Sequence, residues 1–247
     1  MNEYRLSAKT VTDILVLVHS VLTYSAKICP TVSPVEIQYP QKRTKEMRVL
    51  SRSEQTVLTE YLLTDLDPCK FGVLLALWTG MRIGEVCALQ WDHLILEERL
   101  IKVEATMQRL HNSDPLAPFK TYIVLDLPKT VSSIRSIPMG KQITDICQRM
   151  NPDNSKAYIL TGAERYMEPR LLQYHFQRYA ADCGLAGVSF HTLRHTFATR
   201  CIEVGFDIKS LSEILGHANT SITLNRYIHC SMELKRENMR KLDSIGI

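Results

Sequence analysis

Residues 69–78, Cys-Lys-Phe-Gly-Val-Leu-Leu-Ala-Leu-Trp, are apolar at nearly every position, and this run constrains the fold more than any other segment. A helix that is apolar on all sides belongs inside a domain. Thr79-Gly80 ends the run, and Ile83, Val86, Cys87 and Leu89 restart a helical pattern over 82–90. Upstream, Ser51-Arg52-Ser53-Glu54 has the spacing of a capping box, and Val57, Leu58, Tyr61 and Leu62 supply the stripe of the helix it opens. The 247 residues are 45% hydrophobic and 23% charged, an ordinary globular balance that can bury a core without staples.

The middle of the chain changes period. Residues 99–105, 120–127 and 133–138 are β-branched or alternating, separated by polar and Pro-containing turns, and are predicted to form a small antiparallel sheet. Helical spacing returns over 139–150 and 168–183, with a short strand-like Tyr-Ile-Leu at 158–160 between them. Four short helices are expected over 191–204, 207–215, 220–228 and 231–242, with Gly205 and Gly216 suited to helix ends. The expected fold class is therefore mainly α with a small antiparallel β-sheet.

The N-terminal part stands apart. Val11, Ile14, Leu15, Val18 and Leu22 place one apolar stripe on a helix over 7–27, capped by Ser7 or Thr10 and ended before Pro30 and Pro34. A lone helix cannot bury such a face unaided. Residues 30–49 read as a linker, with Lys42, Arg43, Lys45, Arg48 and Arg52 clustered around a single acid, Glu46. On charge alone that cluster is a solvated segment. The net charge of +4, from 30 basic and 26 acidic residues, permits a polyanionic partner without demanding one.

Seven cysteines, at 29, 69, 87, 147, 183, 201 and 230, are odd in number and widely spaced, and none forms a Cys-x-x-Cys pair. Neither a zinc ribbon nor a thioredoxin-type motif is indicated. Most sit in apolar helical patterns, as reduced cysteines of a cytoplasmic protein do. By eye no apolar run reaches the roughly 20 residues of a membrane span, so a soluble intracellular protein is expected. No carboxylate cluster or Walker-type loop appears, so no metal or other cofactor is expected.

Five short segments carry polar chemistry. They are Thr79-Gly80-Met81-Arg82-Ile83-Gly84-Glu85, Pro128-Lys129-Thr130 followed by Ser132, Ser133 and Arg135, His191-Thr192-Leu193-Arg194-His195, Leu215-Gly216-His217-Ala218-Asn219, and Arg226-Tyr227-Ile228-His229. Taken singly, each has an ordinary reading. An HxxR pair is more often the wet edge of a helix. A His after a helix-ending Gly often only meets the preceding carbonyls. A lone Tyr is usually core or rim.

Together and in this order, the five closely resemble the motif series of the tyrosine recombinase (phage integrase) family, in the style of integrases of phages and conjugative transposons. The resemblance spans about residues 50–235. It implies the catalytic-domain fold of that family and a site-specific DNA recombinase, which cleaves and rejoins strands through a 3′-phosphotyrosine link without metal or ATP. By matching position, it implies Arg82 and Arg194 as the two catalytic arginines, Lys129 as the hairpin lysine, His191 and His217 as the catalytic histidines, Tyr227 as the nucleophile and Glu85 as a supporting acid. His195 is implied to be structural. It also turns the basic linker, with Lys42, Arg43, Lys45 and Arg48, into a DNA-contacting segment.

The implied partners are double-stranded DNA and further copies of the chain, monomeric when free and tetrameric on DNA, with accessory DNA-bending or excisionase proteins. The implied organisation is a C-terminal remnant of a helical core-binding domain over 1–40, a basic linker over 41–50 and a catalytic domain with a tail helix over 51–247. The implied location is cytoplasmic, at the nucleoid. A DNA-binding remnant that no longer recombines and a type IB topoisomerase remain as rival readings.

Overall fold

The computed structural model describes residues 6–29, 35–40, 47–114, 118–126, 134–150, 154–221, 223 and 240. The chain divides into two units, Met1–Glu46 and Met47–Ile247.

In the first unit, helix α1 (Ala8–Ile28) starts at Ser7, whose hydroxyl accepts from the Thr10 amide at 3.1 Å. Of the expected stripe, Val11, Leu15 and Leu22 are half-buried, while Ile14 and Val18 are exposed. Ile14, Leu17, Val21, Tyr24 and Ile28 recur at spacings of three and four, and all are exposed. The helix has 21 residues and a stretch of mean hydropathy 1.3, so by length and composition it is long and apolar enough to cross a membrane. This corrects the sequence expectation. Scattered hydroxyls hide the run from the eye, yet Thr12 and Ser20 donate back to the carbonyls of Ala8 and Val16 at 2.8 and 2.9 Å, which satisfies their polar groups inside the helix. Core helices of soluble proteins and N-terminal leaders pass the same test.

The second unit opens with helix α2 (Arg52–Leu63). Its capping box is present in both directions: the Glu54 amide donates to Ser51 Oγ at 3.1 Å, and the Ser51 amide donates to Glu54 Oε2 at 2.8 Å. Arg48 grips the same carboxylate with both terminal nitrogens. That hydrogen bond, reinforced by the Ser51 amide, holds the Glu54 carboxyl at about 2. Leu58 and Leu62 are its buried stripe.

Helix α3 (Pro68–Thr79) begins at the Asp67 cap with Pro in its first turn. Phe71 through Leu77 are all buried, as the all-round apolar run requires. Helices α2, α4 (Ile83–Ala88), α6 (Pro169–Asp182) and α7 (Phe190–Glu203) pack around it. Helix α5 is Lys141–Met150, and α8 is Ile208–Leu215. A satellite cluster of Ala198, Cys201, Leu211 and Leu215 joins α7 to α8.

Among the described residues the strands form two antiparallel sheets rather than one. Strands β1 (Leu94–Ile95), β2 (Leu100–Val103) and β5 (Arg135–Pro138) make a three-stranded sheet in the order β1-β2-β5. Strands β3 (Thr106–His111) and β4 (Thr121–Asp126) pair separately, from Thr106 opposite Asp126 to His111 opposite Thr121. Strand β3 was not anticipated. The alternation read over 99–105 stops at Val103, where β2 ends, and the chain re-enters a strand at Thr106. The Tyr-Ile-Leu at 158–160 is not a strand but a turn, tied by one bridge from Tyr158 to Gln90. Its apolar side chains are buried, so core placement explains their composition. The helices expected over 220–228 and 231–242 lie almost wholly outside the described residues. Thr220, Ser221, Thr223 and Arg240 are helical.

Candidate active site

The site is organised by the end of helix α8. Gly216 terminates that helix with φ 64°, a left-handed conformation that glycine adopts without strain. The His217 amide then donates back to the Ser212 carbonyl at 3.0 Å. The last carbonyls of a helix have no partner within it and carry partial negative charge. Here three successive carbonyls each accept from a different arginine, on three different elements.

Arg135, the first residue of β5, donates from Nε to the Ile214 carbonyl at 2.6 Å. Arg194 of α7 donates from Nη2 to the Leu215 carbonyl at 2.7 Å. Arg82, at the cap of α4, donates from Nη2 to the Gly216 carbonyl at 3.0 Å.

Arg194 also donates from Nη1 to the Gly80 carbonyl at 2.8 Å, so it joins the end of α3 to the end of α8. It is 2% exposed, the largest side chain among the fully buried ones. Arg82 keeps 36% of its side chain exposed. It is held from behind by Glu85, one turn later, through a side-chain contact of 2.7 Å and through its own amide at 2.8 Å. The same carboxylate accepts two bonds from Arg135, at 3.0 and 2.9 Å, in the forked geometry that suits a guanidinium. Burial acts to raise the Glu85 pKa, but the bonds and charge of Arg135, with Arg82 behind them, outweigh it and leave the carboxyl below its ordinary value.

His217 is half-buried, and its Nδ1 lies 2.7 Å from Thr223 Oγ1. His191 is exposed in the first turn of α7, one turn ahead of Arg194, and its ring meets that of His195 edge-on at 4.5 Å. The structure therefore gathers Arg82, Glu85, Arg194 and His217 about one helix end, with His191 on the helix that supplies Arg194. Lys129 and Tyr227 lie outside the described residues, as do Lys42, Arg43 and Lys45. Arg48 is engaged with Glu54 at the start of α2. Among the described residues no group of three or more His, Cys, Asp or Glu side chains is placed to hold a metal ion.

Sequence reasoning gave Arg135 no role. A signal was present: Arg135 shares a strand face with Ile137, which is buried, and a cation on an inward face needs an anionic partner.

The phage integrase family's profile matches residues 55–233. The chain is 27% identical over 190 residues to the tyrosine recombinase XerC-like protein of Caldanaerobacter subterraneus subsp. tengcongensis, covering 70% of this chain and 49% of that protein. It is 27% identical over 189 residues to the transposase from transposon Tn916 of Enterococcus faecalis, covering 69% of this chain and 44% of that protein. The chain thus spans about half the length of these curated relatives. Among solved structures, a fragment of the Tn1549 transposon integrase in complex with transposon right end DNA superposes with a TM-score of 0.76 at 26% identity, covering 98% of this chain and 82% of that one. With its mainly helical fold, its small antiparallel sheets and a profile match over most of its length, the chain belongs to the phage integrase family of tyrosine recombinases.

Proposed function

We propose that this chain carries the strand-transfer chemistry of a site-specific DNA recombinase. The single observation that carries the reading is the convergence of Arg82 and Arg194 on adjacent carbonyls of one helix end, with His217 as the next residue. Cationic forks assembled beforehand around a common point suit an oxyanion, and planar guanidiniums suit phosphate oxygens better than ammonium groups do.

In this reading Tyr227 Oη attacks the scissile phosphorus, and the bond from phosphorus to the 5′-oxygen breaks. A free phenol titrates near 10, so it needs a base at neutral pH, and His191 accepts its proton. Arg82 and Arg194 neutralise the charge on the non-bridging oxygens, and His217 adds a donor. Loss of one such donor typically costs about 10²–10³ in rate. Lys129 gives its proton to the departing 5′-oxygen. The resulting 3′-phosphotyrosine ester keeps the energy of the broken bond, so attack by a new 5′-hydroxyl rejoins the strand without ATP.

Double-stranded DNA is the substrate, gripped in part by the basic segment with Lys42, Arg43 and Lys45, and affinity should fall steeply with salt. The chain acts in the cytoplasm on nucleoid DNA, as a tetramer assembled on its sites from free monomers, with DNA-bending or excisionase proteins as accessory factors. A nicked suicide duplex tests the chemistry. An SDS-stable protein–DNA adduct is expected, and Tyr227→Phe should abolish it. Binding without an adduct would leave a DNA-binding remnant, and relaxation of supercoils without site preference would point to a topoisomerase.

A further inference from the structure

Arg135 belongs to none of the roles just assigned, yet its guanidinium is fully engaged. Its side chain is 6% exposed and Glu85 is 3% exposed. Three of its nitrogens are used: two on the Glu85 carboxylate and one on the Ile214 carbonyl. The Glu85 carboxylate in turn receives the Arg82 side chain and the Arg82 amide. A Cβ added at Gly216 would lie 3.0 Å from Arg135 Nη1, so the guanidinium lies directly against the turn that leads to His217. Its own backbone is fixed in the sheet, opposite Val103 of β2. In sequence, Arg135 closes the segment that contains Lys129.

One planar group is thus bonded to the acid that orients Arg82 and to the helix end that Arg82 and Arg194 share. A lysine has no fork with which to hold both oxygens of a carboxylate and a separate carbonyl together.

We propose that Arg135 is a positioning residue for strand transfer, fixing Arg82 through Glu85 and His217 through the end of α8, so that both sit at a set spacing on the rigid β2–β5 pair. This rests on the strand-transfer reading above. The alternative is a buried ion pair that serves folding alone.

The test uses short nicked duplexes, randomised over the core, from which the wild-type chain selects its own substrate by SDS-stable capture. Wild type, Arg135→Lys and Arg135→Gln are then compared on the selected duplex for binding, single-turnover cleavage, pH profile and thermal melting. Both variants are expected to bind within about threefold of wild type, because the Arg135 side chain is buried and turned onto Glu85 and the Ile214 carbonyl. Arg135→Gln should cleave about 10²-fold more slowly, the loss expected for a misplaced oxyanion donor, and Arg135→Lys should fall between. The Gln variant should also lose cleavage at a higher pH on acidification, because Glu85 then faces only Arg82 as a charged partner and protonates sooner, releasing it. If the Gln variant does not fold, the Lys variant below its melting temperature carries the same comparison.

Cleavage at wild-type rate in folded variants, or a loss proportional to the unfolded fraction with an unchanged pH profile, overturns the role of Arg135 and leaves strand transfer standing. Failure of the wild type to capture any duplex overturns both.

Discussion

Substituting Gly80 by alanine tests the backbone on which the arginine cluster hangs. Gly80 ends α3 at φ 69° and presents its carbonyl to the buried Arg194 guanidinium. A side chain there meets two obstacles. The left-handed conformation costs an L-residue about 1–2 kcal/mol. The new Cβ would stand 2.6 Å from Phe197 Cδ1 and 2.8 Å from Leu215 Cδ2, and Leu215 is fully buried in the α7–α8 cluster. Overpacking of this kind costs about 1–3 kcal/mol. The sum is about 2–5 kcal/mol, a large share of the roughly 5–15 kcal/mol that a domain has in hand.

Urea unfolding followed by tryptophan fluorescence reads this directly, because both tryptophans, Trp78 and Trp91, lie in the second unit. With a urea slope of about 2 kcal/mol per molar, the midpoint should fall by about 1–2.5 M. Gly140→Ala is the control. Nothing lies within 4 Å of its added Cβ, so replacing this N-cap residue of α5 should cost only about 1 kcal/mol, the loss of a favoured cap. If Gly80→Ala unfolds no earlier than Gly140→Ala, the αL joint and the crowding around it are wrong, and with them the placement of Arg194.

Two further outcomes follow from the electrostatics. The Glu54 carboxyl is held at about 2 against an ordinary 4.5, chiefly by its bond from Arg48, so its contribution to stability is complete above 4.5 and is lost as pH falls toward 2. Urea midpoints should therefore drop across that window, and Arg48→Ala should flatten the drop while lowering the plateau above it. Burial pushes the thiols of Cys69 to about 11 and of Cys147 and Cys201 to about 12, and raises that of Cys87 further. With iodoacetamide at neutral pH, exposed Cys29 should alkylate first and these four only after unfolding, as read by peptide mass mapping.

The helices were legible in the sequence because their signals are local. The Ser51–Glu54 capping box, the apolar run of α3 and the terminal glycines 205 and 216 each announce a boundary within a few residues, and the elements begin or end at or next to them. The strands were less legible. Their pairing is set by partners distant along the chain, so one small sheet was expected where two form, and the buried Tyr158-Ile159-Leu160 turn passed for a strand. Membrane-span character in α1 was missed for another reason: a hydroxyl reads as polar in sequence, whereas Thr12 and Ser20 bond within the helix.

For the site, motif order named Arg82, Glu85, Arg194 and His217, which the fold gathers. It did not disclose the medium of their meeting, since backbone carbonyls leave no mark in a sequence. Arg135 was passed over because, although it shares a strand face with apolar Ile137, its partner there is the carboxylate of Glu85, fifty residues away.

Helix α8 is short, yet its length and rotational phase are what bring three consecutive carbonyls under three guanidiniums. One residue inserted between Asp207 and Leu215 would advance that terminus by about 1.5 Å and turn it by about 100°, sending each carbonyl away from its cation at once. Substitutions on the solvent side of α8 leave this gearing intact, whereas a change in residue count strips it. The helix serves as a gauge block, and its residue count is the dimension it sets.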